Sequence, residues 1–116
     1  YAMKSKGLLL VCDTWTVRII NDHGEVKHTL DGEEDRLAFP SVCQDGSVIV
    51  AWVCFKDSLV TIKQYTSQLY QIATLISDFK MGKTERNWVQ LQELSSGEIA
   101  FCTSDRLYVF RKLIHF

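Results

Sequence analysis

The sequence predicts an all-β fold assembled from about three copies of one antiparallel unit. Its first copy, residues 7–30 (GLLLVCDTWTVRIINDHGEVKHTL), passes from a glycine into an apolar strand, a polar turn, an alternating strand and a closing strand. The same order returns from Gly46 and again from Gly97. Repeats at periods of roughly 20–50 residues mark solenoids, propellers or arrays, so the repeat decides the architecture before any single residue does. Turn formers separate the apolar runs every few residues, and no segment sustains the 3.6-residue period of a helix. The nearest to one, 81–92, is interrupted by Gly82.

In the first copy the continuous apolar run 8–12 suits a strand covered on both faces. Residues 16–21 alternate more loosely, His23-Gly24 supplies a turn, and 26–30 closes the unit. The charged stretch 31–36 (DGEEDR) is the clearest break, a solvated connection between units. The second copy is the fullest. Its strand 39–44 is entered at Pro40, a residue tolerated at the start or edge of a strand. Asp45-Gly46 is then a hairpin signal, because glycine readily takes the positive φ of a tight turn. Strand 47–55, turn 56–58, strand 59–66 and strand 69–76 complete a four-stranded meander.

A second polar break, 78–87 (DFKMGKTERN), reads as a solvated loop and leads into the third copy. There the strands are 88–94, 98–103 and 106–112, with turns at 95–97 and 104–105; 113–116 begins a fourth strand or trails as a tail. Aligned on their glycines, the copies place Tyr1 opposite Pro40, so the first unit is expected to start inside its own first strand. That fits a piece of a longer chain or a processed product. The expected organisation is a single domain with units at 1–32, 37–77 and 88–116.

The bulk composition narrows function by exclusion. At 116 residues the chain is long enough for one small core, and 47% hydrophobic with 23% charged residues is the balance of a globular protein. A net charge of -1 argues against a surface dominated by one sign, so nucleic-acid binding would need a local basic patch. No apolar run reaches 18 residues, and no membrane association is expected. Cys12, Cys43, Cys54 and Cys102 lie far apart beside apolar strands with no C-x-x-C pair. That pattern fits reduced, buried cysteines of a cytoplasmic protein better than a disulfide scaffold or a zinc site.

The stretch VCDTWTVRIINDHGEV resembles the NHL repeat, in which a strand ending in Val-x-Asp is followed by a turn, an Arg with a β-branched residue, and a dipeptide near Asp-Gly. Val11, Asp13, Arg18, Ile19, Asp22 and Gly24 occupy the matching positions, with His23 inserted. In the second copy Pro40, Asp45, Gly46 and Val50 resemble the opening of the same repeat, while the third keeps Gly97 and a looser Asp105-Arg106. The resemblance implies antiparallel four-stranded repeats forming about three blades of a β-propeller, of the kind found in tripartite-motif proteins that carry NHL repeats. Such propellers act as recognition surfaces for protein or RNA. Three blades do not close a ring, so either the rest of a parent propeller or a homodimer is expected to complete it.

The same resemblance gathers the turns between second and third strands and the inter-blade loops on one face. The binding candidates there are Trp15, Arg18, Arg36, Lys56, Lys80, Lys83, Arg86, Trp88 and Arg106. An exposed tryptophan is a favoured anchor at interfaces and a stacking platform for bases, which singles out Trp15; packing over a neighbouring blade is its structural alternative. Asp13 and Arg18 are expected to pair across their turn as a stiffening clasp. Lys80, Lys83 and Arg86 suit phosphate contacts or simple solvation. Phe101, Tyr108 and Phe110 alternate as core or edge residues should.

Catalysis and cofactors are not expected. His23, His28 and His115 are scattered, no G-x-S-x-G elbow or phosphate-cradling glycine loop occurs, and carboxylates cluster only in the charged 31–36 loop. Six-bladed propellers that are metal-dependent hydrolases or lyases need inward His, Asp or Glu ligands, of which the chain offers few. The leading expectation is a non-enzymatic protein-interaction module, with RNA binding and purely structural blades as alternatives.

Overall fold

A computed structural model of the chain describes residues 2–5, 8–33 and 35–111. The described residues are all-β. They form eleven strands: β1 (Ala2–Ser5), β2 (Leu8–Asp13), β3 (Thr16–Ile20), β4 (Val26–Asp31), β5 (Leu37–Val42), β6 (Val48–Cys54), β7 (Leu59–Tyr65), β8 (Gln71–Lys80), β9 (Val89–Glu93), β10 (Ile99–Thr103) and β11 (Leu107–Phe110). They pair into three consecutive antiparallel meanders, β1-β2-β3-β4, β5-β6-β7-β8 and β9-β10-β11. The fourth strand considered for 113–116, and Gly7, lie outside the described residues.

The middle sheet is the centre of a three-sheet stack. Strand β6 (VIVAWVC) is buried along its whole length, because successive side chains point to opposite faces and both faces are covered. Ile49, Ala51 and Val53 join Val60, Ile62, Val89, Leu91, Ile99 and Phe101 in the core shared with the third sheet. Val48, Val50 and Trp52 join Leu10, Val17 and Ile19 in the core shared with the first. A strand buried on both sides has no polar face to alternate, so its sequence is one apolar run rich in β-branched residues. Burying each such side chain contributes about 1.5–3 kcal/mol. The second sheet meets its neighbours through β5, which packs against β9 of the third sheet and against β2 and β3 of the first.

Four hairpins at one end of the stack share one turn. In 21–25, 43–47, 66–70 and 94–98 the first residue's amide donates to the fifth residue's carbonyl, and the fourth residue's amide donates back to the first carbonyl. A three-residue loop of this kind needs its last residue in the left-handed region. Gly24, Gly46 and Gly97 take it with φ of 77°, 87° and 89°, and Leu69 takes it with φ of 66°.

The structure shifts two boundaries. The strand expected at 39–44 is β5, Leu37–Val42, so Pro40 lies inside it, opposite Val50. Only β6 pairs with β5 in its sheet, and the missing proline N–H leaves no ladder bond unmade on the open side. The strand expected at 69–76 runs on as β8 to Lys80, through register shifts opposite β7 and a positive φ of 45° at Asp78. The expected break at 78–87 therefore begins only at Met81, which is buried in the core.

Candidate functional site

Because the strands alternate in direction, the turns 13–16, 31–36, 54–59, 80–88 and 103–107 all lie at the end of the stack opposite the four glycine-type hairpins. Backbone hydrogen bonds hold this end together across the sheets. Thr14 O accepts from Ala38 N at 2.7 Å, while Ala38 O accepts from the Cys12 thiol at 2.8 Å. Burial raises the Cys12 pKa, so the thiol stays a donor. The 81–87 loop is anchored rather than free: Met81 N donates to Ser58 O, Gly82 N to Tyr108 Oη at 2.8 Å, and Glu85 N to Asp105 Oδ2 at 3.1 Å.

Of the nine candidates, eight sit at or beside this end and Arg18 does not. Arg18 lies mid-strand in β3 opposite Val11 and Thr29. No ion pair or hydrogen bond joins it to Asp13 among the described residues, so the expected clasp across that turn is absent. The two are separated along the ladder, with Asp13 opposite Thr16 at the strand end. Trp15 is half-buried, and its carbonyl accepts from Gly32 N at 2.8 Å. Lys80 Nζ is engaged by Asp57 O at 2.6 Å. Lys56, Lys83, Arg86 and Arg106 are exposed and have no ion-pair partner among the described residues. The Arg106 side chain lies over Gly82, where an added Cβ would stand 3.0 Å from its Nε.

Arg36 proves to be a structural tie. Its Nη2 donates to Asp78 Oδ1 at 2.7 Å and its Nη1 to Thr61 Oγ1 at 3.1 Å, joining the entry to β5 with β7 and β8. Thr61 Oγ1 also donates to Asp78 Oδ1 and accepts from Asp78 N at 3.0 Å. The hydrogen bond from Arg36, then that from Thr61 and the guanidinium charge, hold the Asp78 carboxyl below the usual aspartate range.

Two concavities adjoin this end. A groove of about 780 Å3 runs between β5 and β9, with Thr14, Leu37, Asn87 and Trp88 at its mouth and Phe39, Pro40, Leu91 and Gln92 along its walls. Trp88 is 38% exposed there. A second cleft of about 630 Å3 opens between β4 and the outer strands β7 and β8, lined by Asp31, Arg36, Trp52, Lys63, Thr74 and Asp78 among others. Its counterpart between the second and third sheets is filled by Phe79, Tyr108 and Phe110, whose ring centroids lie 5.2–6.4 Å apart. Sequence reading missed this second cleft, since Lys63, Thr74 and Asp78 converge only once β7 and β8 pair. Among the described residues no three His, Cys, Asp or Glu side chains gather as a metal site. None of the four cysteines forms a disulfide, and among the described residues no helix is long and apolar enough to cross a membrane. No known family and no curated protein matches the chain.

Proposed function

We propose that the chain is a non-enzymatic protein-interaction module, a partial NHL-like β-propeller whose three meanders act as blades and whose loop end receives a partner. One observation carries the reading: the groove between β5 and β9 opens at half-exposed Trp88, and the loop that leads into Trp88 carries the exposed, unpaired cations Lys83 and Arg86. Mostly apolar walls with cations on the loop that enters the groove suit a peptide that inserts an apolar side chain and carries acidic residues further along. Pro40 on the β5 edge disfavours strand addition, so side-chain insertion is the better mode. Four cysteines without a disulfide fit a reducing, cytoplasmic setting.

Selection from a random displayed peptide library tests this. Enriched peptides should combine an aliphatic or aromatic residue with neighbouring acids, and Trp88→Ala should weaken them at least tenfold. Equal enrichment on wild type and Trp88→Ala would defeat the reading. The same unpaired cations favour RNA as the second reading. Single-stranded RNA whose affinity rises steeply as salt is lowered, and falls on charge reversal of Lys83 and Arg86, would support it instead.

A further inference from the structure

The three sheets leave two faces of the stack uncovered, and we infer that these faces pack on each other between two copies of this chain. The outward face of the first sheet carries Leu9, Val11, Ile20 and Val26 around Arg18, since their neighbours Leu10, Val17 and Ile19 point into the core against the second sheet. The outward face of the third sheet carries Ala100, Cys102, Leu107 and Val109 with Gln90 and Gln92, since Leu91, Ile99 and Phe101 point inward. Leu107 is 65% exposed, Val109 49% and Val26 53%, values out of keeping with strand residues at the centre of a finished stack.

What covers these faces is indicated by the chain's own packing. The second sheet already presents one face to the first and the other to the third, so face-to-face stacking of consecutive meanders occurs twice within one copy. Continuing the same operation sets the third sheet of one copy against the first sheet of the next. Arg18 marks the receiving face: it is half-buried yet has no hydrogen-bond or ion-pair partner among the described residues. Its guanidinium has no acceptor within its own chain among the described residues, and the side-chain carbonyls of Gln90 and Gln92 on the opposing face supply that chemistry. Two such contacts related by a two-fold axis cover both open faces of each copy and join six sheets in one closed assembly. The contact is heterologous, third sheet to first sheet, and occurs twice in the closed pair. The inference rests on the propeller reading; because Gln90 and Gln92 also line the groove between β5 and β9, the two are kept separable by placing the face variants at Leu9, Ile20, Leu107 and Val109, none of which lines that groove.

Analytical ultracentrifugation of the 116-residue chain, of one face variant (Leu107→Glu with Val109→Glu), of the other (Leu9→Lys with Ile20→Lys) and of their mixture tests it. Wild type should sediment at twice the 13.3 kDa chain mass. Each variant alone should sediment as a single chain, with far-UV circular dichroism confirming its β content. An equimolar mixture should recover a two-chain species, because each variant retains the face its partner lacks. A wild type that stays a single chain at high micromolar concentration overturns the inference. So does a face variant that still pairs with itself, which indicates like-to-like contact, or an open-ended polymer. Library-peptide binding through Trp88 measured on the same samples shows separately whether the groove reading stands.

Discussion

Arg36 and Asp78, 42 positions apart in sequence, meet at 2.7 Å and clamp the entry of β5 to the irregular end of β8. The arginine side chain is 16% exposed and the aspartate 61%, so the clamp sits at the surface with its cation tucked under. Arg36→Met keeps the aliphatic stem and removes the bonds to Thr61 and Asp78 together. The melting temperature should fall by a few degrees, as calorimetry would show. The pH dependence follows from the lowered Asp78 pKa. A carboxyl whose folded pKa lies below its unfolded value adds stability above about pH 4, and that stability is lost as pH falls through the folded value. Wild type should therefore lose stability more steeply below pH 4 than Asp78→Asn. Parallel acid titrations of the two would refute the assignment.

Gly32 abuts the indole of Trp52, and an added Cβ there would overlap the ring carbons Cζ3, Cε3 and Cη2. The ring has little freedom to move, being 5% exposed and hydrogen-bonded through Nε1 to Tyr65 Oη at 3.0 Å. Gly32→Ala should destabilise by about 1–3 kcal/mol through overpacking, read from urea unfolding midpoints. The cost should shrink in a Trp52→Leu background, since the clash partner is gone. Additive effects in that double-mutant cycle would show that the glycine is required for another reason.

These two pairs mark the limit of what the sequence discloses. The meanders were readable because hairpin glycines and apolar runs are local signals: Gly46 and Gly97 fall in equivalent first hairpins, and the unbroken run in β6 announces burial on both faces. Phe101 likewise proves fully buried, with Tyr108 and Phe110 packed beside its cluster. Arg36 reads as a surface cation until Asp78 is brought to it by β7 and β8, and the polar Ser77-Asp78 pair hides the continuation of β8 because bulges break the alternation that identifies a strand. Asp13 and Arg18 carry the opposite error. Proximity in sequence suggests a clasp, and strand geometry separates them along the ladder.

The Trp52–Tyr65 hydrogen bond makes a buried polar pair whose loss is asymmetric. Tyr65→Phe leaves the indole N–H without its acceptor and should cost about 1–3 kcal/mol, the range for an orphaned buried donor. Burial raises the Tyr65 pKa above the usual 10, an effect partly offset by the bond from Trp52. A raised folded pKa means stability is fully present below pH 10 and declines as pH rises towards the folded value. Alkaline unfolding of wild type should therefore show a dependence that Tyr65→Phe lacks, measurable by denaturant titration between pH 9 and about 11.

Leu69 is the one hairpin residue of its kind that is not glycine, and two opposed effects meet in it. Its positive φ costs roughly 1–2 kcal/mol relative to glycine. Its side chain, 6% exposed, packs in the core between the first and second sheets, and truncating such a leucine costs about 2–5 kcal/mol. Burial outweighs strain, so Leu69→Gly should destabilise by about 1–3 kcal/mol although it restores the residue used at Gly24, Gly46 and Gly97. A stabilised variant in urea titration would show that backbone strain dominates.

Lys83 and Arg86 separate binding from stability. Both are exposed on a loop whose backbone is anchored independently, through Gly82 to Tyr108 and through Glu85 to Asp105. Neither side chain supports the fold through an ion pair among the described residues. Lys83→Glu with Arg86→Glu should therefore leave the unfolding free energy within about 0.5 kcal/mol of wild type. Affinity for an acidic, apolar peptide selected by the groove should fall at least tenfold at low salt, and by less as salt screens the rim. Arg36→Met should do the reverse, lowering stability while leaving peptide affinity unchanged, because its guanidinium is already occupied by Asp78 and Thr61. If instead the loop charge reversal lowers stability, or Arg36→Met weakens the peptide, the division of this end into a binding rim and a structural clamp is wrong.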